Sequence, residues 1–260
     1  MFHGKVVAIT GAAGGIGQAL CRHFGKDGAA IAAIDKSPAI AQFSGDLRAE
    51  GVRVAHSEID IADADAVARG FARLQEQLGP VDILVNNAGF SGFPTIESTS
   101  PADWRHDVDG NLNGAFNCVH AVLAGMKERR AGAIVSIGSV NGLLALGDPA
   151  YSAAKAGMIA MTRALALEYG RYGIRANIVL PGTVRTPIWT ERAAKDPTIL
   201  KTLQRWYPLG RIVEPGDVAQ AVAFLASDAA AAITGIVLPV DCGLTAGNLV
   251  MARELTLQEF

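Results

Sequence analysis

A glycine-rich turn between a short apolar run and a helical pattern constrains this chain most. Residues 6–10 form a nearly continuous apolar run, as expected of a strand buried on both faces of a sheet. Gly11, Gly15 and Gly17 follow, and a helical pattern begins within the turn. Glycines in this position let the backbone approach a pyrophosphate, which the free N–H groups of the helix stabilise. The arrangement predicts a dinucleotide-binding turn, although a glycine-rich turn can also merely close a tight corner.

The same alternation of strand-like and helical segments continues along the chain. Further apolar runs of strand length lie at 29–34, 52–59, 81–85, 133–137, 174–180 and 236–240. Helical patterns lie at 64–78, 101–122, 149–167 and 214–227. Because strands that alternate with helices are joined by crossovers, the pattern predicts an α/β fold with a doubly wound parallel sheet. We expect one domain over 1–260, with a substrate-loop insertion at 183–210 and a tail at 244–260.

Composition excludes several classes of protein. Half of the 260 residues are hydrophobic and 18% are charged, so the chain can bury a large core. A formal net charge of −2 without a basic cluster gives no electrostatic footprint for nucleic acid. The three cysteines are far apart and suit reduced thiols, and neither they nor the histidines show metal-ligand spacing. With no signal peptide and no membrane-length apolar run, we expect a cytoplasmic protein that binds no metal and no membrane.

Tyr151 and Lys155 are the first candidate catalytic pair. Asp148 and Pro149 form a plausible N-cap and first-turn pair, and the helix that follows places Tyr151 and Lys155 on one face. An ammonium beside a phenol favours the phenolate, which predicts a lowered tyrosine pKa and a group able to exchange a proton with a substrate oxygen. The alternative is a tyrosine packed in the core and a solvated lysine.

Two further residues support a catalytic role for that pair. Ser139 follows the strand at 133–137, at the end of the sheet where open parallel sheets bind ligands. Asn111 lies in a helical pattern together with Asn113 and Gly114, which are poor choices in a helix interior. We expect a functional or kinking reason for this segment, with a purely structural role for Asn111 as the alternative.

Asp35 ends the second apolar run, about 20 positions beyond the glycine turn. An acidic residue there can accept hydrogen bonds from the ribose hydroxyls of adenosine, and it would repel a 2′-phosphate. This predicts NAD rather than NADP. Lys36 is a caution, since a basic residue next to Asp35 could compensate for a phosphate. Asp35 could also serve only as a turn residue before Pro38. Downstream, Asn86 and Asn87 could close a turn or fix the neighbouring strand at the cofactor site.

In their order and spacing these motifs resemble the short-chain dehydrogenase/reductase family over essentially the whole chain. The matching residues are Thr10, Gly11, Gly15, Gly17, Asp60, Asn86 to Gly89, Asn111, Ser139, Tyr151, Lys155, Pro181 and Gly182. The resemblance implies a Rossmann-type, seven-stranded parallel sheet of order 3-2-1-4-5-6-7, with helices on both faces and a nicotinamide cofactor.

The resemblance also implies roles for individual residues. Tyr151 would be the general acid/base, and Ser139 would hydrogen-bond the same substrate oxygen. Lys155 would tune Tyr151 and bind the nicotinamide ribose, and Asn111 would complete a proton relay. Asp60 and Ile61 would flank the adenine, and Thr183 and Thr186 would lie near the nicotinamide amide and the pyrophosphate. The full predicted cofactor set is Gly11, Gly15, Ile16, Gly17, Asp35, Asp60, Ile61, Asn87, Ala88, Gly89, Tyr151, Lys155, Pro181, Gly182, Val184 and Thr186.

Members of the family are mostly tetramers or dimers, so the resemblance implies a homotetramer. The small residues of the 149–167 helix could pack against a second subunit or against the chain's own sheet. Cys242 stands where many members have glycine, a difference we attribute to local packing. The tail beyond 244 is longer than usual and helix-capable. We expect it to pack on a neighbouring subunit, with Phe260 near that subunit's active site.

Taken together, the sequence predicts an NAD-dependent oxidoreductase that interconverts a secondary alcohol and a ketone. A polyol, sugar or hydroxy acid is the preferred substrate class. The predicted substrate contacts are Ser139, Asn141, Leu144, Tyr151, Trp189 and Trp206, with Phe90, Ser91, Phe93 and Leu143 also near the pocket. The alternatives are a 3-oxoacyl thioester reductase, which more commonly uses NADPH, and a non-catalytic dinucleotide sensor on the same fold.

Overall fold

A parallel sheet organises the chain. The computed structural model describes residues 1–187, 189 and 194–258. Seven strands are hydrogen-bonded in the order β3-β2-β1-β4-β5-β6-β7, and every neighbouring pair is parallel. The strands are β1 (Val6–Thr10), β2 (Ala30–Asp35), β3 (Val54–Glu58), β4 (Ile83–Asn86), β5 (Gly132–Ile137), β6 (Ile174–Pro181) and β7 (Val237–Val240). The predicted strand order is confirmed.

Helices connect the strands and cover both faces of the sheet. They are α1 (Gly15–Lys26), α2 (Ala39–Ala49), α3 (Ala64–Leu78), α4 (Pro101–Val108), α5 (Gly114–Arg129), α6 (Pro149–Tyr169), α7 (Ile199–Gln204), α8 (Pro215–Ala226) and α9 (Leu249–Thr256). A π-helical turn, Asp109–Asn113, joins α4 to α5. Of the helices in the described part of the chain, none is long and apolar enough to cross a bilayer.

The core is divided between the two faces of the sheet. Alternate β1 residues point to opposite faces, so Val7 and Ile9 pack with α1 and α8 residues, whereas Val6 and Ala8 pack with α3 and α5 residues. Every residue of β1 is buried. This double cover explains why the central strands show continuous apolar runs rather than alternation.

Three differences between the structure and the predicted elements lie outside the 183–210 insertion, within which the short helix α7 was also not predicted. Helix α2 was not predicted, although it buries Ile40, Phe43 and Leu47 at helical spacing. The predicted helix at 101–122 is interrupted by the π-helical turn, which accounts for the unfavourable Asn and Gly residues there. The third difference concerns Asp148.

Asp148 precedes α6 but does not cap it with its side chain. Its backbone is left-handed (φ 48°), and its carboxylate makes no capping hydrogen bond. Instead, its N–H donates to the Pro94 carbonyl at 3.2 Å. The prediction of a side-chain N-cap was therefore wrong, because the tight turn into α6 uses this residue for a backbone bend and for a tie between two loops.

Candidate active site

A cavity of about 630 Å³ opens where β1 and β4 end. It contains eleven of the residues predicted to bind cofactor: Gly11, Gly15, Ile16, Gly17, Asp35, Asp60, Ile61, Asn87, Ala88, Gly89 and Thr186. Its position beside the start of α1 places the free N–H groups of that helix at the cavity, which is the arrangement that stabilises a phosphate.

The glycines of the turn are required by close backbone contacts. Gly11 has a left-handed backbone (φ 62°), and a methyl group there would lie 2.8 Å from Ala88 Cα. A methyl group on Gly17 would overlap the Gly11 carbonyl oxygen. Larger residues would therefore push the first turn of α1 away from the sheet and out of the position that a pyrophosphate needs.

Thr10 and Asn87 lock this turn to the adjacent strand. The Thr10 hydroxyl accepts hydrogen bonds from the Asn87 and Ala88 N–H groups, both at 3.0 Å. In return, Asn87 Nδ2 donates to the carbonyls of Thr10 and Gly11 at 2.9 and 3.1 Å. Asn87 was predicted either to close a turn or to fix the neighbouring strand. The structure shows that its amide fixes the neighbouring strand beside the cavity.

Asp35 lines the cavity and also fixes the backbone on either side of it. Its two oxygens accept hydrogen bonds from the N–H groups of Ala13 and Ser37, each at 2.9 Å. A carboxylate oxygen has more than one lone pair, so this bracing leaves acceptor capacity for a ribose hydroxyl. Lys36, next to it, also lines the cavity, and its Nζ lies 4.8 Å from the centre of the Phe90 ring.

Phe90 and Gly110 also line the cavity, although neither was predicted to bind the cofactor. Phe90 was expected near the substrate, yet it lines the predicted dinucleotide cavity together with Gly110. A methyl group on Gly110 would overlap the Phe90 ring, so the ring occupies the space that a side chain at 110 would fill. His106 also contacts the ring, with the ring centres 4.7 Å apart.

Gly110→Ala is expected to weaken binding of the predicted nicotinamide dinucleotide about tenfold, because the displaced Phe90 ring would move within the cavity. Phe90→Ala combined with Gly110→Ala should restore binding, since the smaller residue leaves room for the new methyl group. Fluorescence titration with NADH measures both effects. Unchanged affinity in Gly110→Ala would contradict the proposed fit between these two residues.

Tyr151 and Ser139 come together where β5 ends and α6 begins. Ser139 is 9% exposed, and its hydroxyl accepts a hydrogen bond from the Asn141 N–H at 3.1 Å. Burial raises the pKa of the Tyr151 phenol, a hydrogen bond with Ser139 opposes this rise, and the Asp148 carboxylate adds to it. The predicted lowering of the Tyr151 pKa was therefore wrong, because loss of water around the phenol outweighs the hydrogen bond with Ser139.

Lys155 is a buried cation that is held, among the described residues, by a backbone carbonyl and not by a carboxylate. Only 2% of its surface is exposed, and its Nζ donates to the Ile137 carbonyl at 3.0 Å. Met158 Sδ lies 3.6 Å away, and the centre of the Tyr151 ring lies 5.4 Å from the same nitrogen. Burial lowers the pKa of Lys155 to about 8. Near neutral pH the ammonium form still predominates.

Asn111 reaches the same place from the π-helical turn. Its Nδ2 donates to the carbonyls of Asp107 and Phe90 at 2.8 and 2.9 Å, whereas its buried Oδ1 has no partner among the described residues. A methyl group on Gly89 would lie 2.5 Å from Asn111 Oδ1 and 3.0 Å from Lys155 Nζ. Because Gly89 also lines the cavity, it joins the catalytic candidates to the dinucleotide site.

The segment after β6 is held from behind by a residue that the sequence did not assign to the site. The buried Tyr207 hydroxyl accepts a hydrogen bond from the Thr183 N–H at 2.8 Å. Gly182 donates its N–H to the Val240 carbonyl, and Val184 pairs with Val213 in an isolated bridge. Pro181, Gly182 and Val184, all predicted to bind cofactor, thus belong to this braced segment, and Thr186 is the member of it that lines the cavity.

The remaining predicted substrate contacts lie on two segments, the loop before α6 and the predicted insertion at 183–210. Asn141 Nδ2 donates to Gly147 and Ser152 at 3.3 and 3.4 Å, so its amide braces the loop before α6. Leu144 is exposed on that loop. The Trp189 N–H donates a hydrogen bond to the Thr186 carbonyl at 2.9 Å. The guanidinium of Arg205 lies 4.8 Å from the centre of the Trp206 ring. Within the predicted insertion at 183–210, residues 188 and 190–193 lie outside the described residues.

The fold and this site agree with what the chain is similar to. The family model described as Enoyl-(Acyl carrier protein) reductase matches residues 11–245. An uncharacterized oxidoreductase of Schizosaccharomyces pombe is 43% identical over 253 residues, covering 97% of this chain and 95% of that protein. The chain belongs to the short-chain dehydrogenase/reductase family, and it is an oxidoreductase of the kind that binds a nicotinamide dinucleotide.

Two solved structures extend the comparison. An oxidoreductase of the same family from Burkholderia thailandensis is 51% identical, covers 98% of both chains and superposes with a TM-score of 0.92. A xylitol dehydrogenase with bound NAD⁺ is 28% identical and has a TM-score of 0.88, with coverage of 93% of this chain and 99% of that one.

Proposed function

We propose that the protein is an NAD-dependent dehydrogenase that interconverts a secondary alcohol and a ketone. The observation that carries this proposal is the convergence of Asn111, Ser139, Tyr151 and Lys155 beside the glycine-lined cavity. A protein that only senses a dinucleotide needs no phenol, hydroxyl and ammonium around a common point. The complete set therefore favours an enzyme over a sensor.

The residues of the site fit a nicotinamide dinucleotide. The turn after β1 leaves a cradle that side chains would fill, and Asn111 Oδ1 is a buried acceptor without a partner among the described residues. When bound, the cofactor supplies hydride transfer. Tyr151 donates the proton to the ketone oxygen or removes it from the alcohol, and Ser139 hydrogen-bonds the same oxygen. Lys155, whose Nζ lies 5.4 Å from the centre of the Tyr151 ring, binds the nicotinamide ribose.

Asp35→Ala is expected to shift the ratio of NADPH to NADH affinity about tenfold towards NADPH, because the carboxylate that repels a 2′-phosphate is lost. Asp35→Asn is the matched variant, since it removes the charge but keeps an acceptor for the Ala13 or Ser37 N–H. Titration of each variant with both nucleotides separates charge from bracing. An unchanged ratio in both variants would show that Asp35 does not face the ribose.

A polyol, sugar or hydroxy acid is the proposed substrate class. The NAD⁺-bound xylitol dehydrogenase among the similar structures supports a polyol and supports NAD. The second candidate is a reductase of 3-oxoacyl thioesters. The description of the matching family model also names an acyl-thioester reductase, but one that reduces a carbon–carbon double bond rather than a ketone. The carboxylate of Asp35 favours the first, because such reductases more commonly use NADPH.

We further propose a homotetramer in the cytoplasm. Phe116 on α5 and Leu167 on α6 are 55% and 85% exposed, which supports a subunit contact on these helices. Gly157, by contrast, packs on Leu112 within the same chain, so this part of the small-residue face is used internally.

Free Cys21 and Cys118 are buried, which suits a reducing compartment. The exposed Leu255 of α9 supports the proposed tail contact; Phe260 lies outside the described residues.

A substrate screen with both cofactors tests the proposed reaction. Purified protein is assayed by NADH absorbance against polyols, sugars, hydroxy acids and 3-oxoacyl thioesters. We expect turnover with NAD and at least one hydroxylated substrate. Turnover of the thioesters with NADPH alone would favour the second candidate, and nucleotide binding without turnover of any substrate would favour a sensor.

A further inference from the structure

Asp107 carries a buried carboxyl group to which no role has been assigned. It lies on α4, one helical turn before Asn111, and its side chain is completely buried. Neither of its carboxyl oxygens accepts a hydrogen bond of good geometry from the described residues, although the Gly92 N–H is close enough to lower its pKa. An ionised carboxylate without a partner is far more costly to bury than the neutral acid, so this environment favours the protonated form.

Two segments that lead into the site lie near Asp107. A methyl group on Gly92 would be 4.0 Å from its Oδ1, and Gly92 is only two residues beyond Phe90, which lines the cofactor cavity. Asp148, at the start of the catalytic helix α6, is close enough to affect it electrostatically. The two segments are themselves joined by the Asp148 N–H and the Pro94 carbonyl.

Neither the 90–94 segment nor the start of α6 provides a cation that could pair with the Asp107 carboxylate; the charged groups that affect it are His106, Asp148 and Asp103. Burial raises the pKa of Asp107, and the carboxylates of Asp148 and Asp103 raise it further. His106 on α4 and the Gly92 N–H lower it, but these effects are smaller than that of burial. Loss of the proton would therefore place a negative charge between Asp148 and the 90–94 segment.

We propose that Asp107 is a positioning residue that holds the 90–94 segment in place as a neutral acid and releases it on ionisation. The released proton goes to solvent, and the 90–94 segment moves to admit water to the new charge. Phe90 moves with this segment, so dinucleotide binding weakens. This consequence rests on the proposed function, whereas the ionisation itself does not.

The pH dependence of unfolding tests the ionisation without any ligand. The folded protein keeps the Asp107 proton above the ordinary pKa of 3.8, whereas the unfolded chain loses it. Because the folded state then binds more protons, this group lowers stability as pH rises from about 4 to its raised pKa. The free energy of unfolding of Asp107→Asn minus that of wild type should therefore increase over that pH interval and stay constant above it. A pH-independent difference would overturn the proposal.

Two further variants make the test specific. Asp148→Asn removes a carboxylate that raises the pKa of Asp107, so the interval should end at a lower pH than in wild type. The exposed Asp65→Asn on α3 is the matched control and defines the effect of a remote charge change. If Asp107→Asn does not fold, Asp148→Asn still decides the question, because an unshifted interval contradicts the coupling between the two carboxyls.

NADH affinity tests the consequence for the site. Across the ionisation of Asp107, the wild-type Kd should rise about fivefold, at the lower end of typical coupling between sites. The Kd of Asp107→Asn should not show this rise. Similar pH profiles for the two proteins would overturn the positioning role while leaving the proposed function intact. Absence of NADH binding at every pH would instead contradict the proposed function.

Discussion

Tyr151→Phe is expected to lower kcat about 100- to 10,000-fold, the range over which a positioned acid/base contributes to catalysis. The substitution removes the phenol oxygen and keeps the ring, so the packing at the start of α6 stays. NADH affinity should fall only slightly, because Tyr151 is one of many predicted cofactor contacts and the glycine turn, Asp35 and Lys155 are intact. Steady-state kinetics together with an NADH titration separate these effects.

The partly buried Tyr172 provides the matched control for this variant. Its ring is contacted by the cations of Lys127 and Arg171, both 4.9 Å from its centre, and Tyr172→Phe keeps that ring. Activity equal to wild type is expected for Tyr172→Phe. Equal activity in Tyr151→Phe would remove the acid/base assignment.

The raised pKa of Tyr151 gives this reaction a direction-dependent pH profile. A phenol that keeps its proton remains a competent acid for ketone reduction to a higher pH than a free tyrosine would. In alcohol oxidation the same group must accept a proton, so the rate should rise as pH increases and the phenolate forms. At alkaline pH we therefore expect the rate of ketone reduction to fall and the rate of alcohol oxidation to rise.

Lys155→Met is expected to abolish most turnover, weaken NADH binding and change the pH dependence of stability. Burial lowers the pKa of Lys155 from 10.5 to about 8, which corresponds to about 3 kcal/mol by which burial disfavours the ammonium. Between these two pH values the unfolded chain holds the proton and the folded protein has lost it. The wild type should therefore gain stability as pH rises from about 8 to 10.5.

The comparison with Lys155→Met isolates that charge. The variant also loses the hydrogen bond to Ile137, an effect that is present at every pH. The free energy of unfolding of the variant relative to wild type should therefore fall by about 3 kcal/mol across this interval. Urea unfolding at a series of pH values measures it, with Lys127→Met on the surface as the control. A difference that does not vary with pH would show that Lys155 is not a buried cation.

Much of the fold could be predicted because its central strands are buried on both faces. Continuous apolar runs such as Val6 to Ile9 differ clearly from the helical spacing of the segments between them. Helix α2 was missed because the expected turn around Pro38 and a weakly amphipathic pattern concealed the spacing of Ile40, Phe43 and Leu47. The left-handed turn at Asp148 depends on the Pro94 carbonyl, a contact between loops far apart in sequence.

The catalytic candidates could be predicted because their local spacing reflects the elements that carry them. Their electrostatics could not. Lys155 lies one helical turn after Tyr151, yet its Nζ is bonded to the Ile137 carbonyl, and burial dominates the pKa of Tyr151. The fit of Phe90 to Gly110 joins two segments 20 positions apart, and only the packed structure brings them together.

Deuterium transfer to a ketone from NADH that carries deuterium at both C4 positions of the nicotinamide tests the central claim most directly. Mass spectrometry of the product alcohol from the ketone of the best substrate should show deuterium on the carbinol carbon with wild type and Tyr172→Phe, and only traces with Tyr151→Phe. Equal labelling by Tyr151→Phe, or a wild-type protein that binds NADH but labels no ketone in the panel, would contradict the account.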